Sequence, residues 1–338
     1  MISRERLTWE QIVLQFHHPF RLSTGVSNTR TAHWVRLEND EGWGEGTIPP
    51  YYNISDRSMG AFWEAMSTSA TPFPDDPKDI PSWIGTDGPA PARAALDLAL
   101  HDRIGKIRGV PLFELLDLPF PRGVSTAFTI AIDEPEEMAQ MALDRPDYPI
   151  IKLKLGSEDD IIRVAAVRQA RPDVRLFVDA NAGWTPEEAV RLIQELEPFQ
   201  LEMIEQPVPG DDIEGLGYVQ ANSKIPIVAD ESLTSLEDLD RIARAGVQGI
   251  NLKLMKLGGI GPTLEMVLKG RELGLKIMLG CMAETSLGVS AMAHLAGLAN
   301  WIDLDSPLLI ANDPFDGIRY EQAEIFVPER PGIGVLKK

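Results

Sequence analysis

Three acids close three apolar runs at almost the same interval. Asp179 ends RLFVDAN, Glu205 ends LEMIEQP and Asp230 ends IPIVADE, 26 and 25 residues apart. That interval is one strand plus one returning helix, so the three strands lie parallel and side by side with their C-terminal ends on one face. Three carboxylates gathered there repel one another unless a hard cation sits between them. An all-oxygen ligand set on an open site suits Mg²⁺.

The same rhythm runs from Val124 onward. Eight strand-like runs, VSTAFTI, PIIKLKL, VRLFVDA, EMIEQP, IPIVADE, GINLKL, KIMLGC and NWIDLD, alternate with seven helical stretches. Helix starts are marked by Thr185, Pro186 and Glu188 as N-cap, first helical residue and reciprocal cap, and by Ser235 with a stop at Gly246. Such alternation closes as a parallel barrel whose active site lies at the C-terminal strand ends. Before residue 120 the pattern differs: WEQIVLQF and TAHWVRLEN read as strands, and EGWGEG as a turn into a short third strand. PPYYN and TPFPDDPKDIPSW read as loops, and ARAALDLALHDRIGKIRG as an amphipathic helix ended by Gly109 and Pro111. The expected fold class is α/β, a modified TIM barrel of (β/α)7β form over 121–314. An α+β capping domain covers 1–120 and is joined by the C-terminal tail 315–338.

The remaining strand ends carry charge as well. Lys152 and Lys154 alternate on strand two, Asn251 and Lys253 on strand six, and Asp303 and Asp305 on strand eight. Residues two apart on a strand share a face, and inward charges in a barrel are costly unless they form a site. Lys256 and Lys269 read as solvated helix or loop charges, and His294 as a core or surface residue. The formal net charge of −19 argues against a nucleic-acid surface. The single Cys281 excludes an internal disulfide and fits a reducing cytoplasm. With no signal-like apolar core and no 18-residue apolar run, a soluble cytoplasmic protein without membrane partners is expected. A homo-oligomer is compatible with the sequence.

The motifs WGEG, ALDLALHD, KLKLG, VDANAGW, IEQP, ADES, NLKLMKLGG, MAETSLG and DLDSPLL together resemble the enolase superfamily, its muconate-lactonizing subgroup, and within it the dipeptide epimerases. The resemblance covers nearly the whole chain. It implies Mg²⁺ held by Asp179, Glu205 and Asp230, with Lys154 and Lys253 as the two catalytic bases and Lys152 as a tuner. Enolase-superfamily sites pair such a base with magnesium against an enediolate. It also implies a substrate α-ammonium between Asp303 and Asp305, and further contacts from Met282, Ala283 and Glu284. A free lysine has a pKa of about 10.4, and a base near neutrality needs roughly 7 to 8; Lys152 and the metal would push Lys154 that way.

Inversion of the C-terminal residue of an L,L-dipeptide is the implied reaction. Specificity is expected from two capping loops, His18 to Arg30 and Ile48 to Asp56. Gly25 stands where epimerases acting on L-Ala-L-Glu would carry an Arg, while Phe20, Tyr51 and Tyr52 suggest an apolar or aromatic side chain. Arg21 and Arg30 keep an acidic substrate open. An o-succinylbenzoate synthase, an N-succinylamino-acid racemase and a muconate cycloisomerase are disfavoured by the DLD pair, since their substrates have no amine to bind there. A sugar-acid dehydratase would need a strand-end His. An inactive binding protein on this fold is the non-enzymatic alternative.

Overall fold

Eight parallel strands follow one another in chain order around the sheet: β4 (Phe128–Ile130), β5 (Ile150–Lys154), β6 (Arg175–Asp179), β7 (Leu201–Glu205), β8 (Ile227–Ala229), β9 (Gly249–Leu252), β10 (Lys276–Gly280) and β11 (Trp301–Asp303). The computed structural model describes residues 6–23, 25–48 and 52–338. Closure between the first and last of these strands rests on Ala127 N–H donating to Ile302 O at 2.9 Å and Leu304 N–H donating to Thr126 Oγ1 at 2.8 Å. Returning helices, from Pro135–Leu143 to Ser286–Ala293, lie between the strands. The helix Pro186–Leu196 carries the Thr185/Glu188 capping box, and Ser235 caps Leu236–Arg244, both as the sequence predicts.

Period-two alternation builds the barrel interior in two storeys. Ala127, Ile150, Phe177, Met203, Val228, Met278 and Trp301 form one closed apolar cluster. Two residues further along these strands stand Thr129, Lys152, Asp179, Glu205, Asp230, Gly280 and Asp303. The apolar storey is therefore a floor, and the layer directly above it is polar or charged except at Gly280.

The N-terminal sheet is antiparallel, in the order β1 (Leu7–Leu22), β2 (Gly25–Leu37), β3 (Trp43–Thr47). The expected loop from His18 to Arg30 is instead mostly this β1–β2 hairpin. Its register shifts between Gln15 and Phe20, so the strand continues through His17, His18 and Pro19, where no alternation is legible. The second expected loop lies partly outside the described residues. TPFPDDPKDIPSW also departs from expectation: Pro77–Asp79 forms a 3₁₀ turn leading into the helix Ile80–Ile84. Pro77 and Pro81 lie in first turns, where a missing N–H costs nothing.

The helix Ala90–Arg108 ends at Gly109, whose φ is +71°. It is buried on nearly all sides, not amphipathic, because it lies between the N-terminal sheet and the barrel. Asp97 on it accepts from Ile260 N–H at 2.6 Å, and Asp102 accepts from Trp43 N–H at 2.9 Å and Ile333 N–H at 2.8 Å. The C-terminal segment packs on the N-terminal sheet, with the Phe315 ring edge-on to Trp34 and Trp43 at 5.0 and 5.6 Å. No described helix is long and apolar enough to cross a membrane.

Candidate active site

The polar storey brings all the strand-end charges together. Asp179 and Glu205 are direct partners in the β6–β7 register, and with Asp230 they are completely buried. Lysines lace them. Lys152 Nζ lies 2.6 Å from Glu205, 2.7 Å from Asp303 and 3.1 Å from Asp179. Lys154 donates to Asp179 at 2.7 Å, and Lys253 to Asp230 at 2.7 Å.

Electrostatics follow from this packing. Burial tends to raise Asp179, but Lys154, Lys152 and Lys253 outweigh it and bring the carboxyl down to about 2. Burial and then the negative Asp179 push Glu205 up to about 7, with Asp230 adding to the rise. Burial opposes charge on Lys152 too, yet Asp303, Glu205 and Asp179 together hold its ammonium well above the usual lysine range.

One pocket opens onto this rim. Lys154, Lys253, Asp303, Asp305 and Thr129 line its polar side together with Asn181, and Phe16, Phe20, Leu22, Ile48, Met282 and Leu309 line its apolar side. Arg30, Cys281, Ala283 and Ser306 complete it. Phe16 and Phe20 stack at 5.2 Å from the irregular stretch of β1. Asp305 accepts from Thr129 N–H at 2.6 Å, and burial followed by its neighbour Asp303 pushes its carboxyl up to about 7.

Not every expected residue meets the pocket. Lys152 and the three strand-end acids lie beneath its lining. Gly25 is exposed at the hairpin turn, where an added Cβ would touch nothing. Tyr51 lies outside the described residues. Tyr52 lines a neighbouring cavity with Leu22, Asn181 and Glu231. Glu284 is turned away toward the N-terminal sheet: it accepts from Met282 N–H at 2.7 Å, and both its carboxyl and that of Glu45 crowd Gly288.

Lys256 requires a correction. It is buried rather than solvated, with Nζ 2.5 Å from both Asp230 O and Asp230 Oδ1 and 3.0 Å from Asn251 O. The one-turn helix Leu254–Leu257 carries it back toward the strand end three residues after Lys253. Lys269 is the surface charge expected of it. His294 is fully buried and bonded to Ile333 O at 3.1 Å, a core residue. Three further residues, each within a motif quoted above and Asn251 already named there, hold these acids. Gln206 Oε1 accepts from Asp230 N–H at 2.8 Å, Asn251 Nδ2 donates to Glu205 at 2.7 Å, and Asn181 N–H donates to Asp179 at 2.9 Å.

The rim fits a hard cation. Besides the three carboxylates, Asn181 Oδ1 and Asn251 Oδ1 are buried oxygens without a hydrogen-bond donor. Among the described residues, no three acidic, histidine or cysteine side chains converge as a ready metal cluster; ammonium groups lie against the carboxylate oxygens instead.

The model of the Enolase C-terminal domain-like family matches residues 134–336. The L-Ala-D/L-Glu epimerase of Bacteroides thetaiotaomicron is 33% identical, over 99% of this chain and 88% of its own. Among solved structures, a substrate-liganded complex of the L-Ala-D/L-Glu epimerase from Bacillus subtilis superposes with a TM-score of 0.90 at 30% identity, covering 99% of each chain. The dipeptide epimerase from Enterococcus faecalis V583, complexed with Mg and L-Leu-L-Tyr, gives 0.91 at 32% identity, over 98% of this chain and 99% of that one. With the polar rim, the two-storey barrel and these relatives in agreement, the chain belongs to the enolase superfamily and, within it, to the dipeptide epimerase family.

Proposed function

We propose that this protein is a magnesium-dependent dipeptide epimerase that inverts the α-carbon of the C-terminal residue. The observation that carries the reading is a single pocket lined by Lys154, Lys253, Asp303 and Asp305, directly above three buried carboxylates. Asp179, Glu205 and Asp230 would hold Mg²⁺, which when bound supplies positive charge to the substrate carboxylate as its α-carbon is deprotonated.

The chain's own residues do the rest. One lysine, as the neutral amine, takes the α-proton and leaves the bonding electrons on carbon. The other, as ammonium, returns a proton to the opposite face, so the centre inverts and the two lysines exchange protonation states. Lys152 stays charged beneath them and offsets the negative charge that gathers during reaction. Asp303 and Asp305 bind the substrate ammonium, which fixes the chain direction and presents the C-terminal residue to the lysines. Residues 121–314 would be the catalytic barrel and residues 1–120 its cap, closed by the tail 315–338.

Side-chain preference is read from the apolar wall. Phe16, Phe20, Leu22, Ile48, Met282 and Leu309 favour an apolar or aromatic side chain on the epimerised residue. The dipeptide complexed with the Enterococcus faecalis epimerase, L-Leu-L-Tyr, has that character.

Lys154→Ala and Lys253→Ala are each expected to slow inversion on the order of 10³-fold. A panel of L,L-dipeptides in deuterated solvent, followed by proton NMR, tests this; inversion by either variant at the wild-type rate would rule out the two-base scheme.

A further inference from the structure

We propose that Lys256 is a positioning residue for the magnesium site, fixing the spacing of Asp230 and Glu205 from behind the rim. The inference rests on the reading of Asp179, Glu205 and Asp230 as the magnesium ligands.

Lys256 cannot act on substrate. Its side chain is completely buried, and it lines neither the active-site pocket nor the neighbouring cavity. An ammonium has three N–H donors, and all three are accounted for by Asp230 O, Asp230 Oδ1 and Asn251 O. Lys253 differs: it lines the pocket and faces the other oxygen, Asp230 Oδ2. One side of the Asp230 carboxylate is thus anchored in the protein, while the other meets a lysine that lines the pocket.

The anchor extends to a second acid. Lys256 ties the backbone of Asp230, just past β8, to that of Asn251 on β9, and Asn251 Nδ2 donates to Glu205 Oε1 on β7 at 2.7 Å. A single fixed cation therefore sets the separation of two carboxylates on different strands. Stability alone does not call for an ion pair here, since a buried pair replaced at both ends by apolar side chains is often no less stable. A requirement for carboxylates held at a set spacing does, because a hard cation discriminates by ligand geometry.

Magnesium titrated by calorimetry into metal-stripped protein, with no dipeptide present, tests the proposal. Lys256→Met is expected to bind Mg²⁺ at least tenfold more weakly than wild type. At saturating Mg²⁺ its KM for a dipeptide should stay within threefold of the wild-type value, a split that general loosening of the fold would not produce. Lys256→Arg, which keeps charge and donors, should recover most of the affinity. Wild-type magnesium affinity in folded Lys256→Met overturns the proposal, as does a Lys256→Arg protein that binds no more tightly than Lys256→Met. If Lys256→Met does not fold, Lys256→Gln takes its place under the same criteria. Because these titrations contain no dipeptide, their outcome is separate from that of the inversion assays on Lys154→Ala and Lys253→Ala.

Discussion

Asp303 and Asp305 are held unequally although they share one strand end. Asp303 meets Lys152 through Oδ2 at 2.7 Å and Thr129 Oγ1 through Oδ1 at 3.2 Å, so both of its oxygens are engaged. Asp305 meets Thr129 instead, accepting from its backbone N–H through Oδ2 and from its side-chain hydroxyl. With its carboxyl pushed up to about 7 by burial and Asp303, it is the acid that gains most if the pair binds the substrate ammonium as proposed. Asp305→Asn should therefore raise KM for dipeptides at least tenfold, about 1.4 kcal/mol, with a smaller change in kcat and unchanged Mg²⁺ affinity. Steady-state kinetics check this, and a fall in kcat at constant KM would contradict it. Residues of this kind were legible because strand alternation and the barrel period are both written locally in the chain. Lys256 was not, because its principal partner Asp230 is on the preceding strand end, and a lysine just past a strand looks the same whether it turns outward or back.

Elements were legible where one rule governed them and obscure where two competed. The eight barrel strands announce themselves by apolar runs ended by turn residues, and all eight form. In the first 120 residues, prolines read as chain breakers proved to be helix starters, and the irregular pairing of β1 hid a hairpin inside an apparent loop. That same irregularity carries Phe16 and Phe20 to the pocket, which is why Phe16 was missed. The WGEG strand shows the reverse case, a motif whose structural reason becomes visible only in three dimensions. A Cβ on Gly44 would come within 1.8 Å of Ala95 O on the helix Ala90–Arg108. The obstruction is backbone on backbone, so Gly44→Ala should cost more than about 3 kcal/mol. Urea unfolding measures it, and a variant as stable as wild type would show that the sheet and this helix can separate cheaply.

For the molecule as a whole, the joint between N-terminal sheet and barrel contains two buried acids. Glu45 on β3 accepts from Thr285 N–H at 2.9 Å, Thr285 Oγ1 at 2.6 Å and Gly288 N–H at 3.0 Å, capping a barrel helix from outside the barrel. Burial, and secondarily Glu45, pushes Glu284 up to about 8. A carboxyl with a raised folded-state pKa keeps its proton longer in the folded than in the unfolded chain. Its contribution to stability is full below about pH 4.5 and is lost as pH climbs to about 8. Across that window Glu284 contributes a slope of about 1.4 kcal/mol per pH unit, which Glu284→Gln should remove. Denaturation midpoints at pH 5 and pH 8 should therefore lie closer together in the variant; an unchanged separation would mean that the joint opens to water as Glu284 ionises.

The apolar storey under the rim has one more effect. Ile150, Phe177, Met203, Val228, Met278 and Trp301 stopper the far end of the cylinder, so the chamber is approached from the side of the hairpin, where Phe16 and Phe20 line it. A dipeptide that enters past the stacked phenylalanines of the hairpin leaves past them too. A side chain that grips them tightly is slow to leave, and turnover and selectivity are drawn from the same few contacts.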